Sequence, residues 1–169
     1  MNSATARLTP SALRPMTPAE YAEWVEQSIA AYALDKVASG QWSAETSLEL
    51  SRKENSELLP LGLDTPGNHL FVVVDREAAA VGMLWFAVKK KFGADIAYVF
   101  DVSIRPERQR EGHAARAFLA LEEKVRDLGL AGIALHVFGH NDAARALYAK
   151  LGFRATNISL FKPIEPSRA

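Results

Sequence analysis

The chain has 169 residues, 49% of them hydrophobic and 24% charged, which suits one ordinary globular domain with a core of its own. Twenty Lys and Arg offset twenty Asp and Glu, so broad non-specific binding to nucleic acid or to an anionic membrane is not expected. Cysteine is absent, which excludes disulfides, thiolate nucleophiles and thiolate metal sites, and no apolar run approaches the roughly 18 residues of a membrane span.

Residues 1–11, rich in Ser, Thr and Ala, read as a disordered leader without the apolar middle of a signal peptide; a cytoplasmic address is the expectation. Residues 12–169 read as a single domain. Ala12 to Met16 is a short strand. Thr17, Pro18 and Glu20 then make a helix start with a capping box, and Tyr21, Trp24, Val25, Ser28, Ile29 and Tyr32 follow a 3.6-residue period. Gly40 closes that region, Ser43 with Glu45 opens a second helix towards Leu59, and Pro60 to Asn68 is a loop.

His69 to Asp75 and Val81 to Val88 are apolar runs with β-branched and aromatic residues, read as a hairpin. Lys89 to Gly93 reads as a turn and Asp95 to Ile104 as the next strand. From Gly112 to Leu128 the period is helical: Ala114, Phe118, Leu121, Val125 and Leu128 share a face, Glu122 and Arg126 are placed to pair on the other, and Gly129 stops the helix. Ile133 to Phe138 is a strand, Asn141 to Leu151 a helix stopped by Gly152, and Phe153 to Lys162 a last strand. The expected fold is a single α/β domain, a mixed β-sheet flanked by about four helices in the order β-α-α-β-β-β-α-β-α-β.

Asp101 to Phe118 is the most informative stretch. Gly112 lets backbone approach a ligand and Ala114 keeps the next turn nearly as open. The first N–H groups of the helix lack intrahelical partners and sit at the positive end of its dipole, which suits a pyrophosphate. Arg105, Arg108 and Arg110 add positive charge, diluted by Glu107 and Glu111. A plain strand-turn-helix with a solvated basic turn would carry the same charges.

Gln109-x-x-Gly112-x-Ala114, placed after a strand ending in Ile104-Arg105-Pro106, resembles the acyl-CoA signature of the GNAT superfamily of N-acyltransferases. No Gly-Lys-Ser/Thr follows, so the stretch is not a nucleotide P-loop. Downstream, Asn141, Ala144, Leu147, Tyr148, Leu151, Gly152 and Phe153 are similar to a second element of that superfamily. The resemblance covers roughly residues 69 to 162. His113 stands where an apolar residue is frequent, and Tyr98 where many members carry Glu.

The resemblance implies a GNAT fold and direct attack of an amine on the thioester of acetyl-CoA, the cosubstrate, in a ternary complex. It implies that the loop Gln109, Arg110, Glu111, Gly112, His113 and Ala114 holds the pyrophosphate. It further implies that Val102 and Ile104 act through their backbone amides, that Asn141 bonds the pantetheine arm, and that Tyr148 protonates the departing thiolate. Periodicity by itself would equally allow Tyr148 to pack its helix onto the sheet.

His136 is a candidate base, since an imidazole titrates near neutrality; Asp101 on the neighbouring strand could orient it or bind a cationic substrate. A His hydrogen-bonded under a loop and an Asp capping a turn are the structural alternatives. His136 and His140 would not share a helix face, and no metal site is expected. Tyr21, Trp24, Tyr32 and Trp42 are core first, with one or two of them free to line the acceptor site as well.

The expected activity is therefore a cytoplasmic N-acetyltransferase acting on a primary amine of a small molecule or peptide, with no nucleic acid or membrane partner. The alternatives are an N-acyltransferase using a longer acyl-CoA and a non-catalytic CoA-binding sensor. The last strand offers an edge through which a homodimer could form.

Overall fold

The computed structural model describes residues 12–164, so the expected leader lies outside the described residues. Within them, one sheet runs β1 (Ala12–Pro15), β2 (Asn68–Val74), β3 (Ala80–Lys91), β4 (Ala94–Ile104) and β5 (Ile133–Leu135), in that spatial order. The first three pairings are antiparallel and β4 with β5 is parallel. Four α-helices accompany it: α1 (Pro18–Ala38), α2 (Ser47–Leu58), α3 (His113–Asp127) and α4 (Asp142–Lys150). This is the mixed α/β arrangement expected of the GNAT fold.

The capping box forms as the sequence predicts. Thr17 N–H donates to Glu20 Oε2 at 3.0 Å, Glu20 N–H donates to Thr17 Oγ1 at 3.4 Å, and Pro18 fills the first turn. Arg14 grips the same carboxylate at 2.6 and 2.9 Å, holding Glu20 at about 2 and tying β1 to α1.

Alternation along the strands, interrupted on β3 by a bulge at Val81, makes two cores. Val73, Val81, Leu84, Phe86, Ala97 and Val99 face α3, where Ala117, Phe118, Leu121 and Val125 cover them. Met16, Leu70, Val72, Val74, Met83 and Trp85 face the other way, onto Trp24 of α1 and Leu59 after α2. Each fully buried Leu or Phe contributes about 1.5–3 kcal/mol to holding its helix to the sheet.

One irregularity positions the site. In the β3–β4 ladder Trp85 opposes Asp101 and Phe86 opposes Val99, leaving Phe100 as the extra residue of a β-bulge. Ala97 and Val99 point towards α3. Without the bulge Asp101 would follow them; with it, Asp101 turns to the α1 side together with Trp85.

Several sequence expectations are corrected. Lys89 to Lys91 continue β3, and the turn is confined to Phe92 and Gly93, both at positive φ. Strand β5 stops at Leu135 instead of Phe138, so His136 lies beyond the strand. The second helix begins at Ser47, because Ser43 and Thr46 bond each other through their hydroxyls in the preceding turn. Leu128 is 49% exposed at the end of α3, and Glu122 and Arg126 form no ion pair among the described residues. The strand expected over Phe153 to Lys162 is absent: residues 154–164 have neither helical nor strand structure, and all are exposed. A strand needs a neighbour to satisfy its backbone, and these residues lie against none.

Candidate active site

The ladder between β4 and β5 covers only Ala97–Val99 against Ile133–Leu135. Beyond Val99 the two strands part, so residues 100–104 of β4 have a strand neighbour only on the β3 side. The opening leads into a cavity of about 490 Å³. Asp101 and Val102 of β4, His136 and Phe138 after β5, and Asn141 and Tyr148 of the α4 region line it. Elements far apart in sequence thus bring together the three residues expected to be catalytic.

Asp101 is the most constrained of them. Its carboxylate accepts from the Trp24 indole N–H at 3.2 Å and from the Ser28 hydroxyl at 2.9 Å, both on α1, and the Val102 amide is directed at it. Burial nevertheless outweighs these bonds and pushes its carboxyl above the ordinary carboxylate value, since removing water penalises the charged form. The expectation that Asp101 orients His136 is not how it is held: its bonds run to α1. His136 is exposed at the cavity wall, edge-on to Phe138 with ring centroids 5.2 Å apart.

Tyr148 is half-buried, packed edge-on against Phe118 at 5.5 Å, and it lines the cavity as well. Packing and a chemical role are therefore compatible. Burial first, then the nearby Asp101 charge, raises its phenol above the ordinary value, so it keeps its proton at neutral pH. Asn141 is the N-cap of α4, its side-chain oxygen accepting from Ala144 N–H at 3.1 Å, and the same residue borders the cavity.

The loop before α3 offers backbone for an anion. Gly112 is the N-cap at φ 81°, in the left-handed region, and supplies no side-chain cap to the helix. Arg110 also has positive φ, at 67°. Gln109 is exposed, and its side-chain amide donates to the Ile104 carbonyl at 3.0 Å, pinning the loop to the end of β4. Arg108 bridges Asp75 at 3.0 Å and Glu111 at 3.2 Å, so its charge is spent within the fold. Arg105 and Arg110 have no ion pair among the described residues and remain the cations of this turn. His113 is buried, 2.9 Å from Glu111 through Nε2 and 2.9 Å from Arg116 through Nδ1, and Ala114 is half-buried in the first turn.

The opposite wall comes from α1 and α2. Tyr32, Asp35 and Lys36 line it from α1, and Ser51, Glu54 and Asn55 from α2. Burial and the Glu54 carboxylate, which accepts its hydrogen bond, keep the Tyr32 phenol protonated. Lys36 lies 5.3 Å from the centroid of the Tyr32 ring and 5.0 Å from that of Trp42. Sequence reasoning passed over Asp35, Glu54 and Asn55. The available signal was polar residues falling on the helical stripes that should be buried, Ser28-Tyr32-Asp35 and Ser51-Glu54-Asn55-Leu58.

The chain as a whole is similar to known proteins. Residues 30–153 match the acetyltransferase (GNAT) family. The chain is 33% identical over 152 residues to the uncharacterized N-acetyltransferase YycN of Bacillus subtilis (strain 168), covering 90% of this chain and 97% of that protein. The crystal structure of YycN superposes with a TM-score of 0.87 at 32% identity, over 92% of this chain and 99% of that one. It is also 28% identical over 137 residues to the mycothiol acetyltransferase of Kytococcus sedentarius, covering 81% of this chain and 43% of that protein. No helix among the described residues is long and apolar enough to cross a membrane.

Proposed function

The chain belongs to the acetyltransferase (GNAT) family, and from that premise we propose that it is a cytoplasmic N-acetyltransferase taking acetyl-CoA and the primary amine of a small molecule or peptide. The observation that carries this reading is the cavity itself. It joins a stretch of β4 backbone unpaired on its β5 side, the half-buried Asp101 and a protonated phenol at Tyr148.

The residues present suit an acyl-CoA. A side chain on Gly112 would intrude beside the first turn of α3, where exposed backbone is what a pyrophosphate needs. The open edge of β4 presents main-chain groups, those of Val102 and Ile104 among them, to an extended amide-bearing arm, as a neighbouring strand would. Asn141 borders the same slot. Acetyl-CoA supplies the activated thioester.

The protein's own residues divide the remaining work. Asp101, or His136 at the cavity wall, takes the ammonium proton so that the amine becomes a nucleophile. Tyr148 gives its phenolic proton to the leaving sulfur. Asp35 and Glu54, against the single Lys36, bias the wall towards a cationic acceptor. With no cysteine in the chain, direct transfer is favoured over a thiol-borne acyl group.

A panel of amines incubated with acetyl-CoA, read by release of free thiol, tests the proposal. The cysteine-free chain contributes no background to that signal. Amine-dependent thiol release supports an acetyltransferase. Release only with longer acyl-CoAs would shift the donor, and tight CoA binding without release across the panel would favour a sensor.

A further inference from the structure

Trp24 and Ser28 are four residues apart on α1, so the helix presents them on one face, a turn from each other. Tyr21, Val25 and Ile29 on the same side pack as apolar or aromatic residues, whereas a serine among them adds little packing. Its hydroxyl has a different use. The Ser28 hydroxyl at 2.9 Å and the Trp24 indole N–H at 3.2 Å both donate to Oδ2 of Asp101, and neither donates to Oδ1. An ionised carboxylate offers about four lone-pair positions, shared between its two oxygens, and an indole N–H can only donate. The two donors therefore fill Oδ2. The Val102 amide takes at most one further position, so an open one remains on Oδ1.

We propose that Trp24 and Ser28 are positioning residues for the reaction: by filling Oδ2 they make Oδ1 the atom that takes the ammonium proton, and they set how readily it does so. The assignment rests on the acetyltransferase reading above, and it selects Asp101 over His136 as the base. In the step, one N–H bond of the ammonium breaks and one Oδ1–H bond forms. The bonding pair stays on nitrogen as the lone pair that attacks the thioester carbonyl. A cation and a carboxylate become two neutral groups, an exchange that burial favours.

The same two bonds keep the carboxylate available to act. Burial above all, with a smaller push from the Asp35 charge on α1, favours the protonated form; Ser28, Trp24 and the Val102 amide oppose them. A carboxyl already protonated at working pH could accept nothing. From the other elements around the cavity, Tyr148 of α4 feels the Asp101 charge, and Glu54 of α2, Lys36 of α1 and His136 after β5 line the same space. All of these stay in place in the test.

The test is a pH–rate profile with one amine for the wild type and three variants. Ser28→Ala removes one donor, Trp24→Phe removes the other and keeps an aromatic ring against Trp85, and Ser28→Thr retains the hydroxyl. Losing a donor to the charged form raises the proton affinity of Asp101, so the base form is reached only at higher pH. The acidic limb of kcat/KM is expected to move up by about one pH unit in Ser28→Ala and in Trp24→Phe, about a tenfold loss at a fixed pH on the limb. In Ser28→Thr it should stay where the wild type has it. Carboxyl-carbon NMR of isotopically labelled aspartate, assigned with Asp101→Asn, should show the Asp101 titration moving by the same amount without any turnover.

A limb unmoved in both Ser28→Ala and Trp24→Phe overturns the proposal, whatever happens to Tm. So does a carboxyl titration that moves while the limb does not, because the proton is then taken elsewhere. If the wild type releases no thiol with any amine, the acetyltransferase reading falls and the base role with it. A carboxyl titration that still moves as expected would then place the fault in that reading and not in the contacts from α1.

Discussion

The Trp24 indole donates to the Asp101 carboxylate across 3.2 Å, joining α1 to β4 over 77 positions of sequence. Ser28, one turn further along α1, donates to the same oxygen at 2.9 Å. Helix α1 is thereby bonded to the strand that borders the cavity, and it holds a carboxyl whose proton affinity is raised.

That geometry gives opposite effects on stability and on rate for Asp101→Asn. Burial raises the folded-state value of Asp101 above 3.8, so the native state prefers the neutral form. The stabilisation linked to this group is complete below the unfolded value and is lost as pH rises through the folded one. Asparagine is neutral throughout and can still accept from Trp24 and Ser28. Its Tm should therefore exceed wild type at pH 7, and the difference should close towards pH 4. Thermal melts across that range check the sign.

The same variant addresses the base. If Asp101 accepts the ammonium proton, kcat/KM in Asp101→Asn falls by about 10²–10⁴ and its acidic limb disappears, while His136→Gln keeps the limb. If His136 is the base, the limb vanishes in His136→Gln. A pH–rate profile of the three proteins with one amine decides between them.

Tyr148→Phe keeps the ring against Phe118 and removes one proton. We expect kcat to drop roughly 10- to 1000-fold with KM for acetyl-CoA little changed. Steady-state kinetics at fixed amine check it; a loss carried wholly by KM would make Tyr148 a positioning residue.

Gly112→Val should remove acetyl-CoA binding from a folded protein. The left-handed φ costs an L-residue about 1–2 kcal/mol, and the new Cβ would crowd the flexible Arg116 guanidinium at 3.0 Å, which can shift away. The fold therefore tolerates the change better than the cofactor does. Calorimetry of CoA binding beside a thermal melt separates the two.

Gly82→Ala should be more damaging to the fold. A Cβ there would run into the Ser103 carbonyl oxygen, which is backbone and cannot rotate away, and close on the Ile104 side chain. Separation of β3 from β4 at this point is expected to lower Tm and to weaken CoA binding together, because Ser103 and Ile104 directly follow Val102 at the cavity and Ile104 is proposed to offer its backbone to the cofactor.

The elements proposed to hold the cofactor are legible in the sequence because their signals are local. Gly112 at a strand-to-helix turn, and Asn141 two turns from Tyr148 on the same helical face, can be placed from spacing alone. The wall proposed to take the acceptor is not. Asp101 reaches its partners only through the bulge at Phe100, and a bulge leaves no mark on hydrophobic alternation when the extra residue is itself apolar. Glu54 and Asp35 are polar residues on inward-facing helical stripes, which read as weak amphipathicity until the cavity is seen. The expected strand over Phe153 to Lys162 had the right composition, but composition does not supply a neighbour.

The bulge makes β4 a strand whose chemistry depends on counting. Phe100 and Asp101 are adjacent in sequence and both serve the α1 side, so an apolar ring beside Trp85 is set next to a carboxyl on the same surface. Deleting Phe100 would change no charged group and remove no hydrogen-bonding atom from Asp101. It would turn that carboxyl through to the α3 side, beneath Phe118 and Leu121, and leave the cavity lined by an intact set of neighbours around a missing acid. Under the proposed function, the length of one strand, to a single residue, would set whether the cavity holds an acid at all.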